Sequence, residues 1–218
     1  MQKLAIFGGT GMTGQCVVDH ALRKGLKLRL LVRDMKTVPN TFRDKVEIIL
    51  GDVTDYTKVQ EVIQGTNGVV VVLGTRNNLE PTTVLSTGTE NIVKAMKEAS
   101  IQKLSICLSS FLFYDPEKVP TIFEHINKEH KRMLDIVKEW INYPESFALY
   151  LKEHGGHDFC LFVLHHRTDE PSAEFQVLQD KSPGRTISKL DLGKFLIDCL
   201  TQEQYIRRVL GIATVKRS

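Results

Sequence analysis

The stretch "IFGGTGMTG", residues 6–14, decides how the rest of the chain is interpreted. It places Gly8, Gly11 and Gly14 in a G-x-x-G-x-x-G spacing, between a strand-like run and a helix-like one. In a dinucleotide-binding turn, such residues allow the tight bend, the approach of a pyrophosphate to the backbone, and close packing of the helix on the strand. The N–H groups at the helix N-terminus then face the phosphates. The stretch therefore predicts a dinucleotide-binding loop; a structural turn without phosphate is the alternative.

Outward from this loop, short aliphatic runs alternate with longer helical patterns. The runs lie at residues 3–7, 26–32, 46–50, 68–73 and 104–109. Continuous aliphatic strands separated by helices are typical of a parallel sheet covered on both faces. With right-handed crossovers this predicts a single α/β domain, a doubly wound parallel sheet of the Rossmann type, whose ligand lies at the carboxyl ends of the strands.

The later part of the chain is less regular. Residues 121–140 carry a helical apolar stripe, residues 159–164 predict a sixth strand, and residues 174–178 are a candidate for another. Ser188 and Asp191 have capping-box spacing and predict the start of a late helix. We predict a domain over residues 1–203, with substrate-cleft elements from 109–183. Residues 204–218 are interpreted as a C-terminal tail, either a surface strand or loose.

Composition narrows the class of protein. The chain has 218 residues, 42% hydrophobic and 25% charged, with a net charge of +3. This describes a globular protein with no basic stripe for nucleic acid, and its longest aliphatic run is too short to span a membrane. The four cysteines form no CxxC pair, which favours buried free thiols in a reducing compartment. We therefore expect a cytoplasmic, monomeric protein that acts on a small molecule and binds neither nucleic acid nor a membrane.

Arg33 indicates which dinucleotide the loop would hold. It lies 19 positions beyond Gly14, where an acid would accept a hydrogen bond from the ribose 2′-hydroxyl of NAD. A guanidinium instead pairs with a 2′-phosphate, and Lys36 adds a second positive charge nearby. The neighbouring Asp34 is a counter-signal, and a solvated surface charge is the alternative for Arg33. The pattern favours NADP(H).

Further cofactor contacts are predicted where strands end. "GDVTD" places Asp52 and Val53 beside the adenine, and "LGTRN" places Gly74 and Thr75 beside the nicotinamide-side ribose and phosphates. Together with the loop and the basic pair, the predicted cofactor-binding residues are Gly8, Thr10, Gly11, Met12, Thr13, Gly14, Arg33, Lys36, Asp52, Val53, Leu73, Gly74 and Thr75.

Tyr114 and Lys118 have the Tyr-x-x-x-Lys spacing of short-chain dehydrogenases. That chemistry needs both side chains on one helical face, with the lysine lowering the pKa of the tyrosine. Pro116 between them disfavours a helix, so we interpret the stretch as a loop. Ser109 and Ser110, at the end of the fifth strand, are candidates for the substrate side; strand-end capping is the alternative.

Histidines cluster in "HGGHDFCLFVLHH", residues 154–166, without the spacing of a metal motif, so we predict no metal site. His130 lies on the apolar stripe of its helix and is interpreted as a core or pocket-wall residue rather than a proton donor. His166, just past the sixth strand, is the better candidate for a side chain that faces the substrate.

These motifs together resemble a known family. "IFGGTGMTG", "LVRD", "GDVTD", "SSFLFYDPEKVP", "EHKRML" and "ISKLDLG" are similar to the flavin reductase (NADPH), or biliverdin-IXβ reductase, family, atypical short-chain dehydrogenases with NmrA-like relatives. The resemblance covers residues 2 to about 140 and about 183 to 203. It implies hydride transfer from NADPH to FMN, FAD or biliverdin IXβ, with the flavin as substrate rather than prosthetic group.

The resemblance also implies roles for individual residues. It places Ser109 and His166 at the reacting centre and His130 with Ser110 on the substrate side. The chain departs from the family at Leu164-His165-His166, where the family has Pro-Pro-His, and in 141–158, which carries an apparent insertion. Two other functions stay open: an NADP(H)-sensing NmrA-like regulator without turnover, and a carbonyl dehydrogenase or epimerase.

Overall fold

The computed structural model describes residues 2–75, 78, 80–113, 116–141, 158–164, 166–184, 186–205 and 208–215. Ten strands lie in these ranges: β1 (Lys3–Phe7), β2 (Lys27–Val32), β3 (Glu47–Leu50), β4 (Gly68–Val71), β5 (Lys103–Ser109), β6 (Asp158–Leu164), β7 (His166–Thr168), β8 (Phe175–Gln179), β9 (Thr186–Ser188) and β10 (Arg208–Thr214).

Helices connect most of the strands. The α-helices are α1 (Met12–Arg23), α2 (Asn40–Arg43), α3 (Tyr56–Ile63), α4 (Val84–Glu98), α5 (Glu124–Ile141) and α6 (Lys189–Asp198). Short 3₁₀ turns lie at Met35–Thr37, Ser110–Phe113, Pro116–Lys118, Thr121–Phe123, Cys199–Thr201 and Glu203–Tyr205. In the described ranges no helix is long and apolar enough to cross a membrane.

Eight strands form one sheet in the order β3-β2-β1-β4-β5-β6-β10-β8. All neighbours are parallel except β8, which runs antiparallel to β10. The order moves outward from β1 in both directions, so the sheet is doubly wound and the predicted fold class is confirmed. Strands β7 and β9 pair separately as a small parallel sheet.

Side chains of β1 alternate between two hydrophobic cores, one on each face of the sheet. Ala5 and Phe7 are packed with buried residues of α3, α4 and α5, whereas Leu4 and Ile6 are packed with buried residues of α1 and α6. All four side chains are fully buried. This alternation follows from the two-residue period of a strand covered on both faces, and it explains why the strand runs are aliphatic throughout.

The interpretation of residues 204–218 as a tail is corrected by strand β10. It lies inside the sheet, parallel to β6 on one side and antiparallel to β8 on the other. Leu210, Ile212 and Ala213 are buried. The basic residues that flank this short apolar run suggested a surface segment, whereas its pairing partners lie far away in the sequence and leave no local signal.

The late helix begins as predicted, but its acid has another role. The Ser188 hydroxyl accepts a hydrogen bond from Leu190 N at 3.3 Å and caps α6. Asp191, only 1% exposed, accepts from Ala173 N at 3.0 Å and from the Ser172 hydroxyl instead of closing a capping box. Of the cysteines whose side chains are described, Cys199 is buried, whereas Cys16 and Cys107 are half-buried. All three are free thiols, so the prediction of burial is correct only for Cys199.

Candidate functional site

A cleft of about 630 Å³ opens at the carboxyl ends of β1, β2, β4 and β5. Its walls are the loops that follow these strands, the loop after β3, the start of α1, the start of α4 and one face of α5. The predicted cofactor residues that line it are Gly8, Thr10, Gly11, Met12, Thr13, Gly14, Arg33, Asp52, Val53, Leu73, Gly74 and Thr75. Lys36 lies outside this lining, in the exposed 3₁₀ turn that follows β2.

The glycine loop at the bottom of the cleft has no room for side chains. Gly8 has a φ of +87°, and a Cβ there would lie 2.7 Å from the Val72 carbonyl carbon. A Cβ on Gly14 would overlap the Gly8 carbonyl oxygen and lie 2.8 Å from Gly9 Cα. A positive φ and such close backbone contacts select glycine. Gly8 therefore makes the turn, and Gly14 allows α1 to pack on it.

The N-terminus of α1 faces the cleft. Gly11 precedes the helix without a capping side chain, and the first turn contains no acidic residue. The N–H groups at such a helix end attract an anion, both as hydrogen-bond donors and through the helix dipole. A Cβ on Gly11 would meet a single heavy atom within 4 Å, the Gly8 oxygen at 3.3 Å, so the backbone is open to an approaching group. This part of the cleft fits a pyrophosphate.

Arg33 lines the cleft on the side of β2 and β3, directly after β2, and is exposed. Asp34, the counter-signal in the sequence, is engaged in its own turn, where its Oδ1 accepts a hydrogen bond from Lys36 N at 2.9 Å. Asp34 does not line the cleft, whereas Arg33 does. Of these two neighbouring charged residues, the cation therefore reaches the cleft.

Asp52 lies at the same end, where the loop after β3 passes over α4. Its Oδ1 accepts from Thr54 N at 3.0 Å and from Thr54 Oγ1 at 2.8 Å. Desolvation raises the pKa of Asp52, but these bonds and the charge of Arg33 outweigh it and lower the pKa overall. Asn91 Nδ2 donates to the carbonyls of Val53 and Thr54 at 3.0 and 3.1 Å. The loop is therefore fixed, with an ionised carboxylate beside the guanidinium.

The end of the cleft beside β5 and α5 is mostly apolar. Ser109 and His130 line it together with Val84, Leu85, Cys107 and Ile126. The Ser109 hydroxyl accepts a hydrogen bond from Phe111 N at 3.3 Å, so this residue both caps the strand end and faces the cleft. The predicted role of Ser109 on the substrate side stays a prediction.

His130 is the titratable group of this apolar end. Its Nδ1 is buried, and no hydrogen-bond partner for it lies among the residues that the structure describes. Burial lowers the pKa of His130 to about 4. The imidazole is consequently neutral at physiological pH, which agrees with its interpretation as a wall of the pocket rather than a proton donor.

The described part of the structure does not place the other predicted residues in the lining of the cleft. Ser110 opens the 3₁₀ turn after β5 and His166 begins β7, but the side chains of both lie outside the described part. Tyr114 also lies outside it, as do the histidines at 154, 157 and 165. Lys118 is exposed at the end of a 3₁₀ turn rather than on an α-helix. Within the described ranges no group of His, Cys, Asp and Glu has the arrangement of a metal site.

Several lining residues were missed by sequence reasoning. Gln15 follows the glycine loop, and its Nε2 donates to the Thr10 carbonyl at 3.1 Å, which braces the turn. Cys107 lies two residues before Ser109 on β5, and Ile126 lies four residues before His130 on α5. The periods of a strand and of a helix are the signals that could have found them. Val84 and Leu85 left no such signal, because the start of α4 is set by tertiary contacts.

A family model described as NAD(P)H-binding matches residues 8–203. A relative from Arabidopsis thaliana, called an uncharacterized chloroplastic protein, is 30% identical over 118 residues, which cover 51% of this chain and 42% of the relative. The chain thus spans less than half the length of this curated relative.

Among solved structures, a Rossmann-fold NAD(P)-binding family protein from Shigella flexneri is similar, with a TM-score of 0.74 and 17% identity over 100% of this chain and 98% of that one. A short-chain dehydrogenase/reductase of the wide type from Veillonella parvula, in complex with NADP, has a TM-score of 0.74 and 14% identity over 97% and 94% of the two chains. At these identities the likeness shows the fold.

Proposed function

The chain belongs to the NAD(P)H-binding family matched over residues 8–203, and from that premise we propose that it is an NADPH-dependent reductase of flavins and biliverdin-like tetrapyrroles. The observation that carries the proposal is the polarity of the cleft. A charged end, where the exposed Arg33 lies beside Asp52, and an uncapped helix N-terminus lead to an apolar end with a neutral histidine. This order suits a phosphorylated dinucleotide whose reactive ring meets a flat, weakly polar acceptor.

The residues of the chain would act mainly by binding and orientation. The backbone N–H groups at the start of α1 would bind the pyrophosphate, and Arg33 would pair with the 2′-phosphate. When bound, NADPH supplies a hydride from its dihydronicotinamide ring, which with one proton from water reduces an oxidised flavin by two electrons. Val84, Leu85 and Ile126 would exclude water beside the ring, and the Ser109 hydroxyl would orient the acceptor.

The proposed acceptors need no proton donor held at a fixed position. A carbonyl acceptor develops an alkoxide, for which short-chain dehydrogenases use a tyrosine and a lysine on one helix. Lys118 is exposed on a 3₁₀ turn, and His130, with a pKa of about 4, is not an imidazolium that could act as a general acid at neutral pH. Both observations favour acceptors whose nitrogen or methine carbon takes the hydride directly.

One experiment separates the proposed reductase from the two other candidates. The absorbance of NADPH at neutral pH is followed with FMN, FAD, riboflavin, biliverdin or a panel of simple aldehydes and ketones as the acceptor. We expect oxidation of NADPH with the flavins and biliverdin. Tight binding of NADPH without turnover of any acceptor would instead identify a sensor, and turnover restricted to carbonyl compounds would identify a dehydrogenase.

The catalytic assignment can be checked in the same assay. Ser109→Ala should lower kcat with FMN by about three- to tenfold while the KM for NADPH stays within twofold, because the hydroxyl would orient the acceptor and not the nucleotide. A Ser109→Ala variant with an unchanged kcat would leave strand-end capping as the role of this residue. The cytoplasmic location, the monomeric state and the contribution of His166 stay predictions.

A further inference from the structure

Helix α5 contributes two neighbouring stripes of side chains to the region of the cleft. Ile126 and His130, four residues apart, line the cleft. His125 and Glu129, also four residues apart, lie on the adjoining stripe and contact the segment that leads into α4. We propose that His125 and Glu129, together the α5 clamp, are positioning residues that fix the wall of the acceptor end. The inference rests on the proposed function for its kinetic part alone.

Glu129 makes the tighter half of the clamp. Its Oε2 accepts from Ser86 N at 3.1 Å and from Ser86 Oγ at 2.9 Å. Glu129 is buried, with only 6% of the residue exposed to solvent. A carboxylate taken out of water needs partners of this kind, and the N-terminus of a helix supplies both N–H donors and a favourable dipole. Glu129 therefore caps α4 from a different helix.

Helix α4 takes the acceptor for its Ser86 amide from another helix, because Thr83 at its start does not cap it. Thr83 precedes the helix, and its side chain makes no capping hydrogen bond. The Ser86 hydroxyl has a single proton, which it shares between Glu129 Oε2 at 2.9 Å and the Thr83 carbonyl oxygen at 3.2 Å. Without Glu129, the buried N–H of Ser86 would lose the acceptor that the structure gives it.

His125 holds the same segment four residues earlier. Its Nε2 lies 2.7 Å from Thr82 N and 3.0 Å from the Thr82 carbonyl oxygen. In the shorter of these contacts the backbone N–H of Thr82 donates to Nε2. The Thr82 hydroxyl in turn accepts from Val84 N at 3.2 Å, so the bonds run from α5 to the first residue of α4.

The clamped segment forms the wall of the cleft. Val84 and Leu85 lie between the two points of attachment and line the cleft together with Ile126 and His130 of the clamping helix. A shift at the start of α4 would therefore move two apolar residues beside the ring that donates the hydride. Small displacements at a reacting centre lower the rate far more than they weaken binding of a cofactor held at the other end.

Amide hydrogen exchange tests the clamp without any assay of activity. Glu129→Ala should speed exchange of the Ser86 amide by at least about tenfold, and His125→Ala should do the same for the Thr82 amide. Glu129→Gln keeps one acceptor oxygen and should retain part of the protection. Glu139→Ala, which removes an exposed acid of the same helix, is the matched control and should change neither amide.

The kinetic arm uses the same variants with NADPH and FMN. We expect Glu129→Ala to lower kcat about tenfold or more while the Kd of NADPH stays within threefold, and Glu129→Gln to recover most of kcat. Should Glu129→Ala not fold, His125→Ala and Glu129→Gln carry the test. Unchanged exchange in folded clamp variants, or an equal loss of kcat and NADPH affinity, overturns the proposal. A wild-type protein without turnover overturns the proposed function, and exchange then decides on the clamp.

Discussion

Arg33 is the residue on which the choice of nucleotide depends. We expect Arg33→Ala to raise the KM for NADPH about 10- to 100-fold and to leave the KM for NADH within threefold. A charge-assisted hydrogen bond between Arg33 and the 2′-phosphate of NADPH contributes about 1.5–3 kcal/mol. NADH has no 2′-phosphate, so its binding does not depend on this bond. Steady-state kinetics with both nucleotides measures the two constants.

Lys36→Ala is the matched control for Arg33, since it removes a neighbouring positive charge that lies outside the cleft lining. Its effect on the KM for NADPH should stay below about threefold, as expected of a screened surface charge. Equal effects of Arg33→Ala on both nucleotides would mean that the 2′-phosphate does not lie at Arg33.

His130 should make the stability of the protein depend on pH. Burial lowers the pKa of His130 from 6.5 to about 4, so between these values the unfolded chain binds a proton that the folded chain does not. The free energy of unfolding therefore falls as the pH falls through this window. In urea titrations at pH 7, 5.5 and 4, His130→Leu should reduce this fall by at most about 3 kcal/mol. An unchanged pH dependence would contradict the burial of the neutral ring.

Single residues were easiest to predict from the sequence where a glycine loop or the end of a strand determines their position. Backbone contacts require glycine at positions 8 and 14. Asp52 follows the end of β3 and lines the cleft. The acceptor end was harder, because Val84, Cys107 and Ile126 come from three separate elements that converge only in the folded chain. His166 carried the sequence argument for the substrate side, and the structure leaves that argument a prediction.

At Gly14, helix α1 packs directly against the turn that follows β1, and a single added carbon atom would push the two apart. We expect Gly14→Ala to lower the free energy of unfolding by more than about 2 kcal/mol and to abolish binding of NADPH, since the added Cβ would overlap the Gly8 carbonyl oxygen. Chemical denaturation and nucleotide fluorescence titration measure the two effects.

Gly74→Ala is the control substitution for this contact. A Cβ at Gly74 meets no heavy atom within 4 Å, although Gly74 also lines the cleft. The variant should change the free energy of unfolding by less than about 1 kcal/mol. If Gly14→Ala were as stable as Gly74→Ala, close packing of α1 on the turn would not be the reason for glycine at position 14.

Elements were predicted well where their signal is local. The pattern of short aliphatic runs identified β1 to β6, and the Ser188 cap marked the start of α6. Asp191 was placed correctly on that helix but given the wrong partner. A buried carboxylate finds its donors in space, here at Ser172 and Ala173, and spacing along the chain cannot reveal them.

At the scale of the whole molecule, the sheet depends on its last strand. Deletion of residues 208–218 should leave a protein that does not unfold cooperatively, because β6 loses a neighbour and β8 loses the strand it pairs with in the main sheet. Circular dichroism during thermal unfolding measures this. Deletion of residues 216–218 alone is the control and should keep the cooperative transition. A folded protein without β10 would restore the interpretation of this segment as a tail.

The doubly wound fold was predictable because its first half repeats strand and helix at short intervals. The position of β10 was not, since it pairs with β6 some fifty residues earlier and with β8 in the opposite direction. Such pairing is specified by the surfaces that the rest of the fold leaves open. Sequence periodicity describes each strand and not its neighbours.

The location of β10 also has a consequence for biosynthesis. Strand β8 ends at Gln179 and its partner in the main sheet begins at Arg208, about thirty residues later. At a translation rate of roughly 5–20 residues per second, β8 has no partner for about two to six seconds. During that interval β6 and β8 each present an open edge to other nascent chains, so this half of the sheet is where a chaperone would be needed.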